Sequence, residues 1–150
     1  MRTKGIHLWL LLWKASRTVE ARAQRSVAEL GLCLSDFGVM EALLHKGPLP
    51  VNVLGRKVLL TSGSMTAAVD RLEKRGLLRR QDDPEDRRSR VIHLTDAGRD
   101  LITRLFAEHA ASMERAMAFL SDDEMNALAA GLRRLGRGVE EQNKKENADA

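Results

Sequence analysis

One run of the chain restricts its fold more than any other: "LLTSGSMTAAVDRLEKRG" (59–76), followed at once by "LLRRQDDPEDRRSRVIHLT" (77–95). The first part reads as a helix. Thr61 or Ser62 caps it, Met65, Val69 and Leu72 recur at helical spacing, and Gly76 closes it. The second part reads as a hairpin. Leu77 to Arg80 and Arg90 to Leu94 are short strands, and the Asp-Asp-Pro turn signal lies between them. Upstream, Ser35 is placed to cap a helix in which Phe37, Met40, Leu43 and Leu44 share a face. "KGPLP" (46–50) ends that helix, and Val51 to Leu59 reads as another short one. Two short helices, a third that leads into a hairpin, and a charged hairpin tip make a winged helix-turn-helix the expected fold over 35–95.

The flanks are helical. A first helix is expected from about Ile6 to Leu30, its apolar stripe continuing through Ala15, Val19 and Ala23. Its basic front and the run Leu8 to Trp13 mimic a secretory signal, but the run is too short and is broken by Lys14 and Arg17. No stretch is long enough to span a membrane, and a single cysteine, Cys33, rules out an internal disulfide. A cytoplasmic protein without membrane association is expected. After Thr95, Leu101, Leu105, Phe106, His109, Met113 and Met117 recur at helical steps in a helix reaching towards Leu120. At that length it would extend roughly 35–40 Å, more than a small domain needs. Ser121 and Glu124 form a capping box ahead of a last helix carrying Met125, Leu128, Leu132 and Leu135. The end, "EEQNKKENADA", is polar and is expected to fray. The organisation is therefore a mainly α chain with a small β-wing. An N-terminal helix occupies 1–34, the winged domain 35–95, two further helices 96–142, and a disordered tail 143–150.

Charge is concentrated in the middle. Between Gly55 and Arg80 stand seven basic residues (Arg56, Lys57, Arg71, Lys74, Arg75, Arg79, Arg80) and two acidic ones (Asp70, Glu73). That excess of +5 exceeds the +4 of the whole chain, so the remainder sums to −1. Such a concentration is the footprint of a phosphate-backbone binder. It is also what a solvated helical face with i,i+4 pairs such as Asp70–Lys74 would show. The helix start weighs for the first reading, because Ser62, Gly63, Ser64 and Thr66 are small and mostly hydroxyl-bearing. Bulky side chains would hold a helix out of the major groove, and one cap needs only one hydroxyl. On the hairpin, Arg87, Arg88 and Arg90 form a finger suited to the backbone or minor groove, and Asp86 is placed to orient a neighbouring arginine.

At these residues the sequence resembles the MarR-type transcriptional regulators. Asp86-Arg87-Arg88-Ser89 matches the family's Asp-x-Arg-Ser wing signature, and Leu94-Thr95-x-x-Gly98 its continuation. The resemblance covers essentially the whole chain. It implies a homodimer in which the first helix and the last two interlock with those of the partner, bound to double-stranded DNA at a near-palindromic operator. Carried over by position, Ser62, Ser64, Thr66 and Arg71 face the major groove and its phosphates, with Lys74 and Arg75 on the same basic helix. Arg88 enters the minor groove, steadied by Asp86. The stretch from Leu59 to Gly76 is most similar to a branch responding to hydroquinones and catechols. That implies a repressor released by a small aromatic or lipophilic effector, phenolic or quinone-like. Trp9, Trp13, Phe37, Met40, His109 and Met113 are the candidate lining of its pocket, against plain core packing.

No enzyme is expected. The chain lacks Gly-x-Ser-x-Gly, a phosphate loop and Gly-x-Gly-x-x-Gly. His7, His45, His93 and His109 lack metal-site spacing, so neither a metal nor a cofactor is expected. Without tyrosine, a base-stacking platform for single strands is disfavoured. Two alternatives stay open: a helical interaction module whose basic face meets an acidic protein, and a thiol-based redox sensor acting through Cys33. Against the second, Cys33 follows the first helix, whereas the family's peroxide sensors carry their cysteine near its start beside tyrosines. A buried, inert thiol is expected.

Overall fold

The computed structural model describes residues 3–58, 61–82 and 90–148. In chain order its elements are α1 (Lys4–Ala28), α2 (Leu34–Lys46), β1 (Leu49–Pro50), α3 (Val51–Lys57), α4 (Ser62–Lys74), β2 (Leu78–Asp82), β3 (Arg90–Leu94), α5 (Asp96–Met117) and α6 (Asp122–Ala148). They form two compact units, Met1–Met113 and Glu114–Ala150.

The first unit is a winged helix with α1 and most of α5 attached. Its core gathers Val27 from α1, Phe37, Val39, Met40 and Leu43 from α2, and Leu54 from α3. Met65, Ala68, Val69 and Leu72 join from α4, Leu78 and Ile92 from the sheet, and Ile102 and Leu105 from α5. Ile102 and Leu105 thus share one core with the winged elements, and the boundary drawn at Thr95 falls inside a packed unit.

The sheet has three antiparallel strands in the order β1-β3-β2. β2 and β3 follow the expected hairpin, with Leu78 opposite Leu94 and Asp82 opposite Arg90. β1 was not expected. It pairs Leu49 with Ile92 and Pro50 with Val91, and two residues are too few to show an alternating pattern. Proline is tolerated there because β1 is an edge.

Helix ends follow local chemistry. Thr61, in an extended conformation, caps α4 by accepting from the Ser64 amide. Gly76 (φ +70) ends α4 in a left-handed turn, its amide bonding to Glu73 and that of Leu77 to the Leu72 carbonyl. α2 departs from expectation. It begins at Leu34 behind an extended Cys33, and Ser35 sits inside the first turn, its hydroxyl occupied by Cys33 Sγ and Arg71. Thr95 does cap α5, accepting from the Gly98 amide at 3.0 Å and donating to the Gly76 carbonyl at 2.7 Å. Here α5 lies so close to the end of α4 that a Cβ on Gly98 would sit 2.0 Å from the Leu77 carbonyl oxygen. The spacing Thr95-x-x-Gly98 is therefore a packing requirement.

In the second unit, Ser121 and Glu124 form the expected capping box, with reciprocal bonds of 2.8 Å and 3.4 Å. α6 continues to Ala148, through residues read as a disordered tail beyond 142. Glu, Gln, Lys and Ala are good helix formers, and Lys144 pairs with Glu140 at 2.7 Å one turn away. α6 buries no residue, and Leu128, Leu132, Leu135 and Val139 form an exposed stripe at alternating four- and three-residue steps.

Candidate nucleic-acid interface

α4 turns Met65, Ala68, Val69 and Leu72 into the core and leaves Gly63, Ser64, Thr66, Ala67, Asp70, Arg71 and Lys74 exposed. Ser62 opens the helix, but its side chain lies outside the described residues. Ser64 also accepts from the Thr61 hydroxyl at 3.0 Å, so the cap and the Ser64 hydroxyl are one hydrogen-bonded group.

Both flanks of this face are clamped. On one side Arg71 reaches across to α2, where Nη2 donates to Asp36 Oδ1 at 2.6 Å and Nε to Oδ2 at 3.3 Å. Asp36 is buried, with 4% of its surface exposed, whereas about half of the Arg71 side chain meets solvent (49%). The bond to Asp36 raises the Arg71 pKa further above its ordinary value, which fixes its charge. On the other side Arg80, from β2, holds Asp70 and Glu73 together, and its backbone amide donates to Glu73 at 3.3 Å. Asp70 thus pairs with Arg80 rather than with Lys74, so the i,i+4 pair of the solvated-face reading is not made. Arg71 and Arg80, counted in sequence as free positive charge, are both neutralised.

The remaining candidates divide. Ser64, Thr66 and Lys74 lie on the exposed face of α4. The Arg75 guanidinium donates to the Gly31 carbonyl at 3.3 Å, tying the end of α4 to the α1–α2 turn. Arg90 pairs with Asp82 across the hairpin. Asp86, Arg87 and Arg88, with the proposed orientation of Arg88 by Asp86, lie outside the described residues. Sequence reasoning missed Asp36, because its partner is 35 residues away and nothing local marks the pair.

Cys33 corrects another expectation. Its thiol is exposed, 3.1 Å from the Ser35 hydroxyl and 3.7 Å from Arg71 Nη2. The tight turn at Gly31 and the extended Cys33 lift the side chain out of the core. Among the described residues, no group of three or more His, Cys, Asp or Glu could hold a metal.

The six candidate effector residues lie at different depths. A hollow of about 550 Å³ opens beside α2 and includes Phe37 and His109, joined by Glu41, His45, Lys46 and Lys57. His109 packs its ring 4.6 Å from that of Phe37 and bonds through Nδ1 to the Ser26 hydroxyl at 2.8 Å. Met40 is fully buried in the core on the inner side of α2, and Met113 is half-buried farther along α5. Trp9 and Trp13 stack on each other near the exposed start of α1, their ring centroids 6.3 Å apart. They are separated from Ser26 by at least 13 residues of helix, about 20 Å. Reading apolar residues element by element did not distinguish these depths.

His93 lies on β3 opposite Arg79. Burial, and secondarily the charge of Arg79, lowers its pKa below the ordinary histidine value. This fits a structural role for the ring.

Comparison with known proteins places this arrangement. The MarR family model matches residues 32–89, from the α1–α2 turn to the hairpin. The chain is 35% identical over 136 residues to the helix-turn-helix transcriptional regulator MhqR of Bacillus subtilis, covering 91% of this chain and 94% of that one. A crystal structure of a probable transcriptional regulator from Pseudomonas aeruginosa superposes with a TM-score of 0.76 at 31% identity, over 84% of this chain and 94% of that one. Sco3205, a MarR family transcriptional regulator from Streptomyces coelicolor solved in complex with DNA, shares the fold with a TM-score of 0.84 at 24% identity, over 93% of each chain.

Proposed function

The chain belongs to the MarR family, and from that premise we propose that it is a dimeric, sequence-specific regulator of transcription that binds double-stranded DNA. In this reading it is a cytoplasmic repressor that leaves its operator when a small aromatic effector binds. The observation that carries the proposal is the exposed face of α4. It is built from small and hydroxyl-bearing residues, ends in Lys74, is clamped on both flanks, and leads directly into the hairpin. Ser62, Ser64 and Thr66 face the major groove, and Lys74 meets a phosphate. Arg71 acts chiefly by anchoring the helix to Asp36. Arg88 enters the minor groove and Asp86 orients it.

Dimer formation is supported by apolar surface on both units. α1 exposes Ile6, Leu8, Trp9, Leu11 and Trp13, and α6 its leucine stripe, all suited to a second copy of the chain. A two-fold dimer binds half-sites about one turn apart, roughly 34–36 Å. The effector site is the hollow beside α2, where the Phe37 and His109 rings suit an aromatic body and Lys46 and Lys57 suit a phenolate oxygen. The resemblance of the stretch from Leu59 to Gly76 to a branch responding to hydroquinones and catechols supports a phenolic or quinone-like compound.

The test is selection of bound duplexes from a random pool, repeated with phenols and quinones present. A recovered near-palindrome, lost when an effector is added, supports the proposal. Recovery without sequence preference favours an acidic protein partner, since such a surface offers no base edges. The exposed thiol of Cys33 beside Arg71 favours a second reading, a thiol-based redox sensor. Unchanged operator affinity after alkylation of Cys33 would remove it.

A further inference from the structure

The DNA-binding reading leaves open which base α4 recognises, and the geometry of its exposed face narrows the choice. At about 100° per residue, Gly63, Ala67, Asp70 and Lys74 lie within about 30° of the line opposite the buried row. This midline would go deepest into a groove. Ser64 and Arg71 stand about 70–90° to one side, Thr66 and Glu73 as far to the other. Polar reading along the midline is restricted: Asp70 is held by Arg80 and would have to leave it to accept from a cytosine amino group. Lys74 is the last residue of the helix, and a recognition helix reads bases mainly with its N-terminal turns. Gly63 carries no side chain, and a Cβ built there meets nothing within 4 Å, so the backbone is open to close approach. Ala67 remains. Among the described residues of α4 it is the only exposed apolar side chain, and it sits on the midline in the N-terminal half.

We propose that Ala67 is a specificity-determining residue that reads the 5-methyl group of a thymine in each half-site. The inference rests on the DNA-binding reading. Thymine is the one base that presents a methyl in the major groove, and alanine is a side chain that contacts it. A longer residue at position 67 would hold the helix off the groove floor and lose the contacts of Ser64 and Thr66 on either side.

The experiment uses the full-length protein and a duplex obtained by selection. Each thymine of a half-site is replaced singly by deoxyuridine, which removes the methyl and leaves the base-pairing edge intact. Affinities are then measured for the wild type and Ala67→Gly, with urea unfolding confirming that the glycine variant is folded under the binding conditions. One thymine per half-site is expected to show about a fourfold loss in the wild type, the worth of one buried methyl. The same replacement should have no effect in the folded glycine variant. If no deoxyuridine weakens binding, or if the loss persists in Ala67→Gly, Ala67 does not read the methyl, while the DNA-binding reading stands. If no duplex is preferred at all, the DNA-binding reading itself fails.

Discussion

Removing the two partners of the Arg71–Asp36 pair one at a time should give unequal losses of stability, with Arg71→Met costing more than Asp36→Asn. The inequality follows from burial. Asp36 keeps 4% of its surface and Arg71 about half of its side chain. In Asp36→Asn the guanidinium is left partly in water and still finds one amide oxygen. The loss is that of a charge-assisted bond made by a half-exposed partner, about 1.5–2 kcal/mol after screening. In Arg71→Met the carboxylate stays buried without its cation, a situation that typically costs 3–5 kcal/mol. Asp36 lies in the first turn of α2, where the helix dipole returns up to about 1 kcal/mol, so the expected loss is about 3 kcal/mol. Urea unfolding of both variants at fixed salt, monitored by circular dichroism, measures the difference. For a chain of this size each kcal/mol corresponds to about 2–4 °C in Tm. Equal losses, or a larger loss for Asp36→Asn, would refute the burial argument.

Gly98→Ala should destabilise by about 3 kcal/mol or more, since the new methyl meets the Leu77 backbone and not a side chain that can move; near-wild-type unfolding would contradict the tight approach. Arg88→Ala should weaken specific DNA binding by about 1–3 kcal/mol and leave the unfolding curve unchanged. Asp86→Ala should weaken specific binding while non-specific binding stays equal or tightens slightly, measured by titration at two salt concentrations. The folded state holds the His93 pKa below its unfolded value, so between those values the unfolded chain binds more protons and stability falls as pH decreases through about 6.5. His93→Gln should flatten that fall in unfolding experiments.

Much of this architecture was legible in the sequence because it rests on local signals. Met65, Val69 and Leu72 repeat within one helix, Thr61 and Gly76 bound it, and Ser121–Glu124 is a complete cap in four residues. β1 was hidden because a two-residue strand has no period of its own and exists through β3. The pairing of Arg71 with Asp36 was hidden for a related reason. Charge counting treats a guanidinium as free until a partner is known, and Asp36 comes into reach only when α2 and α4 pack together. The end of α6 was taken for a tail because polar composition suits both frayed chain and exposed helix, and helix propensity with the Glu140–Lys144 pair selects the helix. The effector residues were gathered from apolar positions whose depth sequence does not give. Met40 and Phe37 are both buried on α2, yet only Phe37 reaches the hollow.

The measurement that bears most directly on the account compares the affinity of the full-length protein for a selected near-palindromic duplex with that for a scrambled duplex of the same composition, at physiological salt. A DNA-reading dimer should prefer the selected duplex by at least about 10³-fold, and two chains should bind each duplex. A ratio near one, or a single chain bound to one half-site, would contradict it.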